Sequence, residues 1–422
     1  MSPAKNILRA FPAGPYRNRG FRAFLLARLA GMFATQIQAV VVAWQVYELT
    51  HDALALAYVG LAQFLPMLFL LMPAGDLMDR RARKPILMAS WGVALLCACA
   101  LWWISGQTQG SVTGIYLTLL LFGASRAFSG PAVQSLLPQI VPREQLAQAI
   151  AANGMLMRAA SIGGPLLGGL LYALGGGVCA YAVCALCFFL GVLLLTYVQT
   201  QHAGERSERD EGAVNSSSMW RRFALGLDFI RNRPIILGSI SLDLFAVLLG
   251  GAVALLPIYA KEILHVGSEG LGALRSAIAL GEVGVGLFLS LKPFNRHVGR
   301  ILFIAVAVFG LANLVFACSR VFWLSFVALM IAGAADMVSV YIRGALVQFS
   351  TPDAMRGRVS AVNMLFIGAS NELGEFRAGV SAACFGPVPA AILGGLCTLG
   401  VVGILSWRFA PLRKVGCFEE AK

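Results

Sequence analysis

Apolar runs of about 20 residues recur along the whole chain, each closed by a short polar break. A run of that length crosses roughly 30 Å of hydrocarbon as an α-helix. The runs are continuous rather than alternating, and too long for barrel strands, which excludes a transmembrane β-barrel. Their breaks predict twelve spans. The first six cover 22–48, 54–74, 86–106, 112–138, 145–174 and 176–198; the second six cover 234–262, 268–291, 300–318, 321–350, 358–383 and 386–408. The runs holding Pro138 and Pro257 are expected to include turns outside the membrane. The pattern is that of an all-α multi-pass membrane protein.

Between the two sets of six, residues 201–219 are polar and read as a linker. "WRRFALGLDFIRNRP" follows, with Trp220, Phe223, Leu227 and Ile230 at helical spacing and arginines between them, which predicts an amphipathic helix at the membrane surface. The expected organisation is a six-helix bundle over 1–200, a cytoplasmic linker over 201–233 and a second six-helix bundle over 234–422.

An internal repeat supports two pseudo-symmetric bundles. "PREQLAQAIAANGMLMRAASIGGPLLGG" from Pro142 aligns without gaps to "PDAMRGRVSAVNMLFIGASNELGEFRAG" from Pro352, at an offset of 210. Pro142/Pro352, Asn153/Asn363, Gly164/Gly374 and Gly169/Gly379 coincide, and the register continues upstream through Gly123/Gly333 and Ser129/Ser339. Parallel duplicated halves are the plan of alternating-access transporters.

Composition agrees, with 58% hydrophobic and 13% charged residues in 422, where a soluble domain averages about a quarter charged. The net charge of +13 sits in alternate loops, from the N-terminal tail through "MDRRARKP" and "KPFNRHVGR" to the C-terminal tail, while "LTHDAL", "GQTQGSV" and "FGPVPA" carry no Lys or Arg. That bias predicts a multi-pass inner-membrane protein with both termini cytoplasmic, and it accounts for the positive charge without nucleic acid. The basic start (Lys5, Arg9, Arg17, Arg19, Arg22) runs straight into a long first span, unlike a cleavable signal peptide. Nine Cys fall mostly inside apolar runs and four His are scattered, so no metal or cofactor is expected. No Gly-x-x-x-x-Gly-Lys nucleotide loop or Ser/His/Asp arrangement stands out, which argues against an enzyme or an ATP-driven pump.

"GDLMDRRARKPIL", Gly75 to Leu87, puts two Asp and four Lys/Arg into the loop between spans two and three. Lys and Arg orient the loop, whereas Asp contributes little to orientation, so Asp79 calls for a partner such as Arg83. This loop resembles the signature of the major facilitator superfamily, Gly-x-Leu-Ala-Asp-Arg-x-Gly-Arg-Lys, at Gly75, Leu77, Asp79, Arg80, Arg83 and Lys84, departing at Met78 and Ala82. The resemblance implies a gate in which Asp79 faces the N-terminal end of span eleven, near Arg358, and closes the cytoplasmic side. It also implies the two-bundle fold of that superfamily.

Charges inside the spans are the sharpest functional signal, because each is costly in hydrocarbon. Of the charges there, five acids (Asp243, Glu282, Asp336, Glu372, Glu375) and five arginines (Arg126, Arg158, Arg275, Arg343, Arg377) are singled out. Arg275/Glu282 and Asp336/Arg343 are each two turns apart on one helix face, and Glu372 and Glu375 share a face within "NELGEF". Structural pairing would explain the balance of signs. The functional reading is a wet cavity with a proton-titratable acid and cationic anchors for substrate.

Arg126-Ala-Phe-Ser-Gly130 resembles the superfamily's Arg-x-x-x-Gly element, which implies a part in proton coupling for Arg126. "GGPLLGG", with Gly164, Pro165, Gly168 and Gly169, resembles the antiporter signature and implies close helix packing and export. "TPDAMRGRVSAVN" with "NELGEF" is similar to the enterobactin-exporter branch, and Trp44, Tyr47, Phe64 and Phe128 are candidates for stacking on an aromatic substrate. The expectation is a secondary active transporter: proton-coupled antiport of a small organic molecule such as a siderophore or drug-like compound, by a chain large enough to act as a monomer in the lipid bilayer. An importer or lysophospholipid flippase of the same fold, and a non-transporting membrane sensor or scaffold, are the alternatives.

Overall fold

A computed structural model describes residues 18–107, 110–199, 219–251 and 253–418. The described residues form helices and short connections. In the first half these are α1 (Arg19–Thr50), α2 (Ala53–Arg80), α3 (Arg83–Ser105), α4 (Val112–Ile140) and α5 (Leu146–Thr196). After α6 (Met219–Arg231) come α7 (Pro234–Gly250), α8 (Ser268–Leu291), α9 (Val298–Cys318), α10 (Phe322–Phe349), α11 (Asp353–Phe385), α12 (Pro387–Arg408) and the short α13 (Ala410–Lys414).

Among the described residues, ten elements are long and apolar enough to cross a membrane. One of them, α5, is 51 residues long, roughly 75 Å as a straight helix and far more than one crossing needs. Its helical geometry is interrupted at Gly175 and Gly176, where Gly176 takes φ +62°, a conformation open to glycine. The glycines that separate spans five and six in the sequence fall at this break. The long helix α11 is missing from the ten because its acids and arginines dilute its apolar content.

Of the two expectations about proline, the one at Pro138 needs correction. α4 continues through Pro131 and Pro138 to Ile140, so no turn forms at Pro138. A proline removes one ladder hydrogen bond, and a membrane helix held by its neighbours tolerates that. In the seventh run the ladder stops at Gly250, ahead of Pro257. A 3₁₀ turn (Val253–Leu255), one α-turn (Leu256–Ile258) and a π turn (Tyr259–Ile263) follow. Pro257 lies in the first turn of its short element, where a missing N–H costs nothing.

The chain divides into two compact units. One comprises Met1–Ala39, Leu65–Gly164 and Leu174–Ala213; the other comprises Val40–Phe64, Pro165–Ala173 and Val214–Lys422. The core of the first unit gathers Phe21, Phe24, Trp91 and Leu136. The second unit has a core around Tyr259, Phe316, Leu271 and Ala277, which also takes in Trp44, Tyr47 and Leu56 from α1 and α2. A second core joins Leu242, Phe303, Ile342 and Leu412.

α6 packs on α11 within the second unit. Ile230 is buried with Val359 and Val362, and a Cβ on Gly226 would stand 2.9 Å from the Arg358 carbonyl oxygen. Phe223 joins that contact, while Leu227 remains exposed. The side chain of Trp220 lies outside the described ones.

Candidate functional site

In the second unit, α8 and α10 pack most extensively of the described helix pairs, and glycines set their approach. A Cβ on Gly281 would meet the Met330 carbonyl and stand 2.7 Å from the Ala334 nitrogen; one on Gly333 would meet the Ile278 carbonyl. Such bare crossings bring whatever charges flank them close together. Here the flanking residues are Glu282 on α8 and Asp336 on α10.

Arg343, two turns beyond Asp336 on α10, forms an ion pair with Asp243 of α7. Both side chains are less than a tenth exposed. The guanidinium is therefore held across a helix interface rather than by the acid on its own helix. Its Nε is buried with no hydrogen-bond partner among the described residues. The charges of Arg343, Asp243 and Glu282 all act on Asp336. Four residues singled out from sequence thus lie in one neighbourhood on three helices. Arg275, two turns before Glu282 on α8, is half-buried.

Glu372 and Glu375 converge on α2. Their Oε2 atoms lie 3.6 and 3.8 Å from where a Cβ of Gly60 would be, so the absence of a side chain at Gly60 leaves space for both carboxylates. Arg377, on the same helix, points elsewhere. Its Nε donates to the Leu248 carbonyl oxygen at 2.9 Å, one of the last-turn carbonyls that α7 leaves open when its ladder stops. Arg377 is a cap on a broken helix.

Within the first unit, Arg126 is half-buried on α4 and Arg158 is exposed on α5. Of the loop motif, Gly75 is half-buried near the end of α2 and Arg83 opens α3. The side chains of Asp79 and Arg80, and with them the gate contact expected of Asp79, lie outside the described ones. Lys84 is engaged with the backbone. Its Nζ donates to the carbonyls of Thr196 at 3.0 Å and Val198 at 2.8 Å, capping the C-terminal end of α5.

The antiporter-like segment sits at contacts that exclude side chains. A Cβ on Gly164 would stand 2.5 Å from the Gln36 Cβ of α1, and one on Gly169 would meet the Ser268 carbonyl at the start of α8. Pro165 and Gly168 are buried beside them, and the Pro165 carbonyl is where a Cβ of Gly272 would fall. The repeat mates do the equivalent: Gly374 faces the Val247 carbonyl of α7 at 2.8 Å, and Gly379 the Ala57 Cβ of α2 at 2.7 Å.

A second polar cluster is not visible in the sequence. Tyr47 donates its hydroxyl to the Glu262 carboxylate, and Tyr172 donates to Glu48. Lys261 approaches His51 Nε2 at 3.3 Å and stands 5.9 Å over the Tyr47 ring. All six residues belong to the second unit and lie at or just beyond the ends of the first, fifth and seventh apolar runs, away from the basic loops. These residues sit at span ends, where tyrosines and charges read as an interfacial belt, so no periodicity marks them. Arg28, inside the first apolar run, belongs to no motif. Its guanidinium approaches Met157 Sδ at 4.0 Å, and the amide of Asn153 reaches the same sulfur at 3.9 Å.

The aromatic candidates serve the interior. Trp44, Tyr47 and Phe64 are buried, and Trp44 meets Tyr172 edge-on at 6.5 Å. Phe128 packs against the core of the first unit. Among the described residues, no group of three His, Cys, Asp or Glu could hold a metal ion.

Comparison with known proteins gives this arrangement a context. The model of the family described as transmembrane secretion effectors matches residues 10–420. The enterobactin exporter EntS of Citrobacter koseri is 26% identical over 404 residues, covering 95% of this chain and 92% of that protein. The fold resembles a bacterial homologue of the iron transporter ferroportin (TM-score 0.69, 16% identity, 94% of this chain and 99% of that one). It also resembles a bacterial homologue of the lysosomal transporter Spinster (TM-score 0.67, 15% identity, 95% and 97%).

Proposed function

This chain belongs to the transmembrane secretion effector family of the major facilitator superfamily, and on that premise we propose that it is a proton-coupled exporter of a small organic molecule, a siderophore or a drug-like compound. Membership makes it a multi-pass secondary transporter. The export direction is our reading of the similarity to enterobactin exporters and of the segment Gly164 to Gly169.

The architecture we assign is twelve spans in two pseudo-symmetric six-helix bundles, 1–200 and 234–422, joined by 201–233, with both termini cytoplasmic and the monomer as the working unit. Ten crossing elements, the break at Gly175–Gly176 within one of them, and α11 support that count. Substrate binds near the midplane of the membrane, and access alternates between the two sides.

One arrangement carries the coupling mechanism: Arg343 is paired with Asp243 of α7, while Asp336 lies two turns away on the helix of Arg343 itself. Two carboxylates share one arginine in an apolar interior, where an uncompensated charge is costly. A proton on Asp336 relieves that cost and leaves Arg343 with Asp243. Loss of the proton makes Asp336 a rival partner, so Arg343 is drawn along its own helix and its hold on α7 weakens. Proton movement is thereby linked to the packing of α7 on α10. Glu282 adds a like charge nearby, and Glu372 with Glu375 forms a second acidic pair facing α2; Arg126 serves the first bundle. At the outer face, Tyr47–Glu262 acts as the latch that the transport cycle must release, with Tyr172–Glu48 bracing the first bundle beside it. At the cytoplasmic face, Gly75, Asp79, Arg80 and Arg83 form the gate.

Inverted, energised membrane vesicles with a pH-sensitive dye test this reading against siderophores and cationic dyes. Substrate should collapse the pH gradient in the natural protein and leave it intact in an equally inserted Asp336→Asn variant. Collapse undiminished in the variant would remove Asp336 from the coupling step. No collapse with any compound would count against proton antiport.

A further inference from the structure

A groove of about 650 Å³ lies in the first unit, at the loop between α2 and α3. One wall is the face of α3 carrying Pro85, Ala89 and Val93; the opposite wall is the face of α4 carrying Leu121, Ala124 and Phe128. Leu77 and Arg81 close the loop end. The family motif makes no use of Arg81, which occupies a variable position between Arg80 and Ala82 and is exposed.

Two polar residues in the groove are already committed. Ser90 Oγ donates to the Ser125 carbonyl at 2.7 Å, Ser125 Oγ donates to the Ser90 carbonyl at 2.7 Å, and the two hydroxyls stand 3.2 Å apart. The walls therefore offer a ligand apolar surface only, with a guanidinium at one end. A matching ligand has a long apolar body and a single anionic head.

Depth narrows the ligand further. From Arg83 at the start of α3 to Val93 is about 15 Å along a helix, half of the roughly 30 Å hydrocarbon core. The groove thus spans one leaflet, and its charged end lies at a loop that positive-inside bias puts on the cytoplasmic side. That loop carries four Lys/Arg against two Asp, and Lys84 is occupied in capping α5. Arg81 and its loop provide the positive field that anionic lipid headgroups seek.

We propose that this groove is a binding site for one anionic phospholipid of the inner leaflet, with an acyl chain between α3 and α4 and the phosphate on Arg81. The lipid occupies the space between two helices and meets the loop of the cytoplasmic gate.

The test is native mass spectrometry of the full chain, delipidated in neutral detergent and titrated with phosphatidylglycerol or phosphatidylcholine of equal chain length. One phosphatidylglycerol should survive activation that strips phosphatidylcholine. Arg81→Gln should reduce the preference for phosphatidylglycerol by about fivefold, the weight of one basic residue at a membrane surface. Filling the groove with Ala89→Phe, or with Val93→Phe should the first variant fail to fold, should remove the retained lipid of either kind. Equal retention of both lipids by the natural protein would overturn the headgroup assignment. Retention unchanged in the filled variants would overturn the site. Displacement of the lipid by a transported compound would make the groove a substrate portal instead. Each readout is binding, so the result stands apart from whether transport is proton-coupled.

Discussion

Tyr47 on α1 donates its hydroxyl to the carboxylate of Glu262, in the π turn that ends the seventh span. Tyr47 is buried and Glu262 is exposed, so the bond joins a fixed donor to an acceptor at the water boundary. A hydrogen bond to a charged acceptor contributes about 1 kcal/mol in such a half-screened setting. Removing it with Tyr47→Phe should shift the outer ends toward separation by roughly fivefold in population. Spin labels replacing the exposed Asp52 and His265 would report it as a growing long-distance component. An unchanged distance distribution would show that this contact does not hold the outer side together.

The Arg343–Asp243 pair should be unforgiving to single changes. Asp243→Asn leaves a buried guanidinium without its counter-charge, at a cost of about 3 kcal/mol or more. Asp243→Asn with Arg343→Met removes both charges and should recover much of that loss. Thermal unfolding of the purified variants in detergent measures the cycle. Additive losses would mean that the pair is not coupled.

Glycines on α8 should differ sharply in tolerance. Gly281→Ala drives a methyl into the backbone of α10, whereas a Cβ on Gly284 would have nothing within 4 Å. Overpacking at Gly281 should cost about 1–3 kcal/mol. Gly284→Ala should be neutral or stabilising by up to roughly 1 kcal/mol. Melting temperatures of the two variants, measured side by side, decide the point.

Lys84 should behave as a helix cap. Lys84→Met leaves the Thr196 and Val198 carbonyls without that donor and should lower stability by about 1 kcal/mol, while Lys84→Arg restores most of it. Hydrogen exchange should locate the loss in the last turn of α5. Protection unchanged there would return Lys84 to the gate.

Hydropathy made the crossing elements legible because a helix in hydrocarbon must satisfy its own backbone, and long apolar runs have few alternatives. The small-residue break near Gly175 could be read for the same reason, since glycine alone separates two apolar runs there. Pro138 misled because a proline that would end a helix in water costs a membrane helix only one bond. The interior charges could be recognised one by one, and their expense marked them. Their pairing could not: Arg343 takes Asp243 from another helix over Asp336 on its own, and no local spacing encodes that choice. Arg377 was legible as a buried cation, but its role depends on a ladder that stops at Gly250, which hydropathy does not register.

That interruption has a mechanical consequence. An unbroken helix from Pro234 to Ile263 would transmit any tilt at Glu262 directly to Asp243, as a rigid rod does. With the ladder ending at Gly250 and the Leu248 carbonyl held by Arg377, the segment behaves as two short levers meeting at a clasp. The outer lever can swing while the inner one stays docked on α10. In the proposed cycle, opening at one face then need not disturb the charge pair at once, and a single arginine on α11 would set the order of the two events by how firmly it holds the joint.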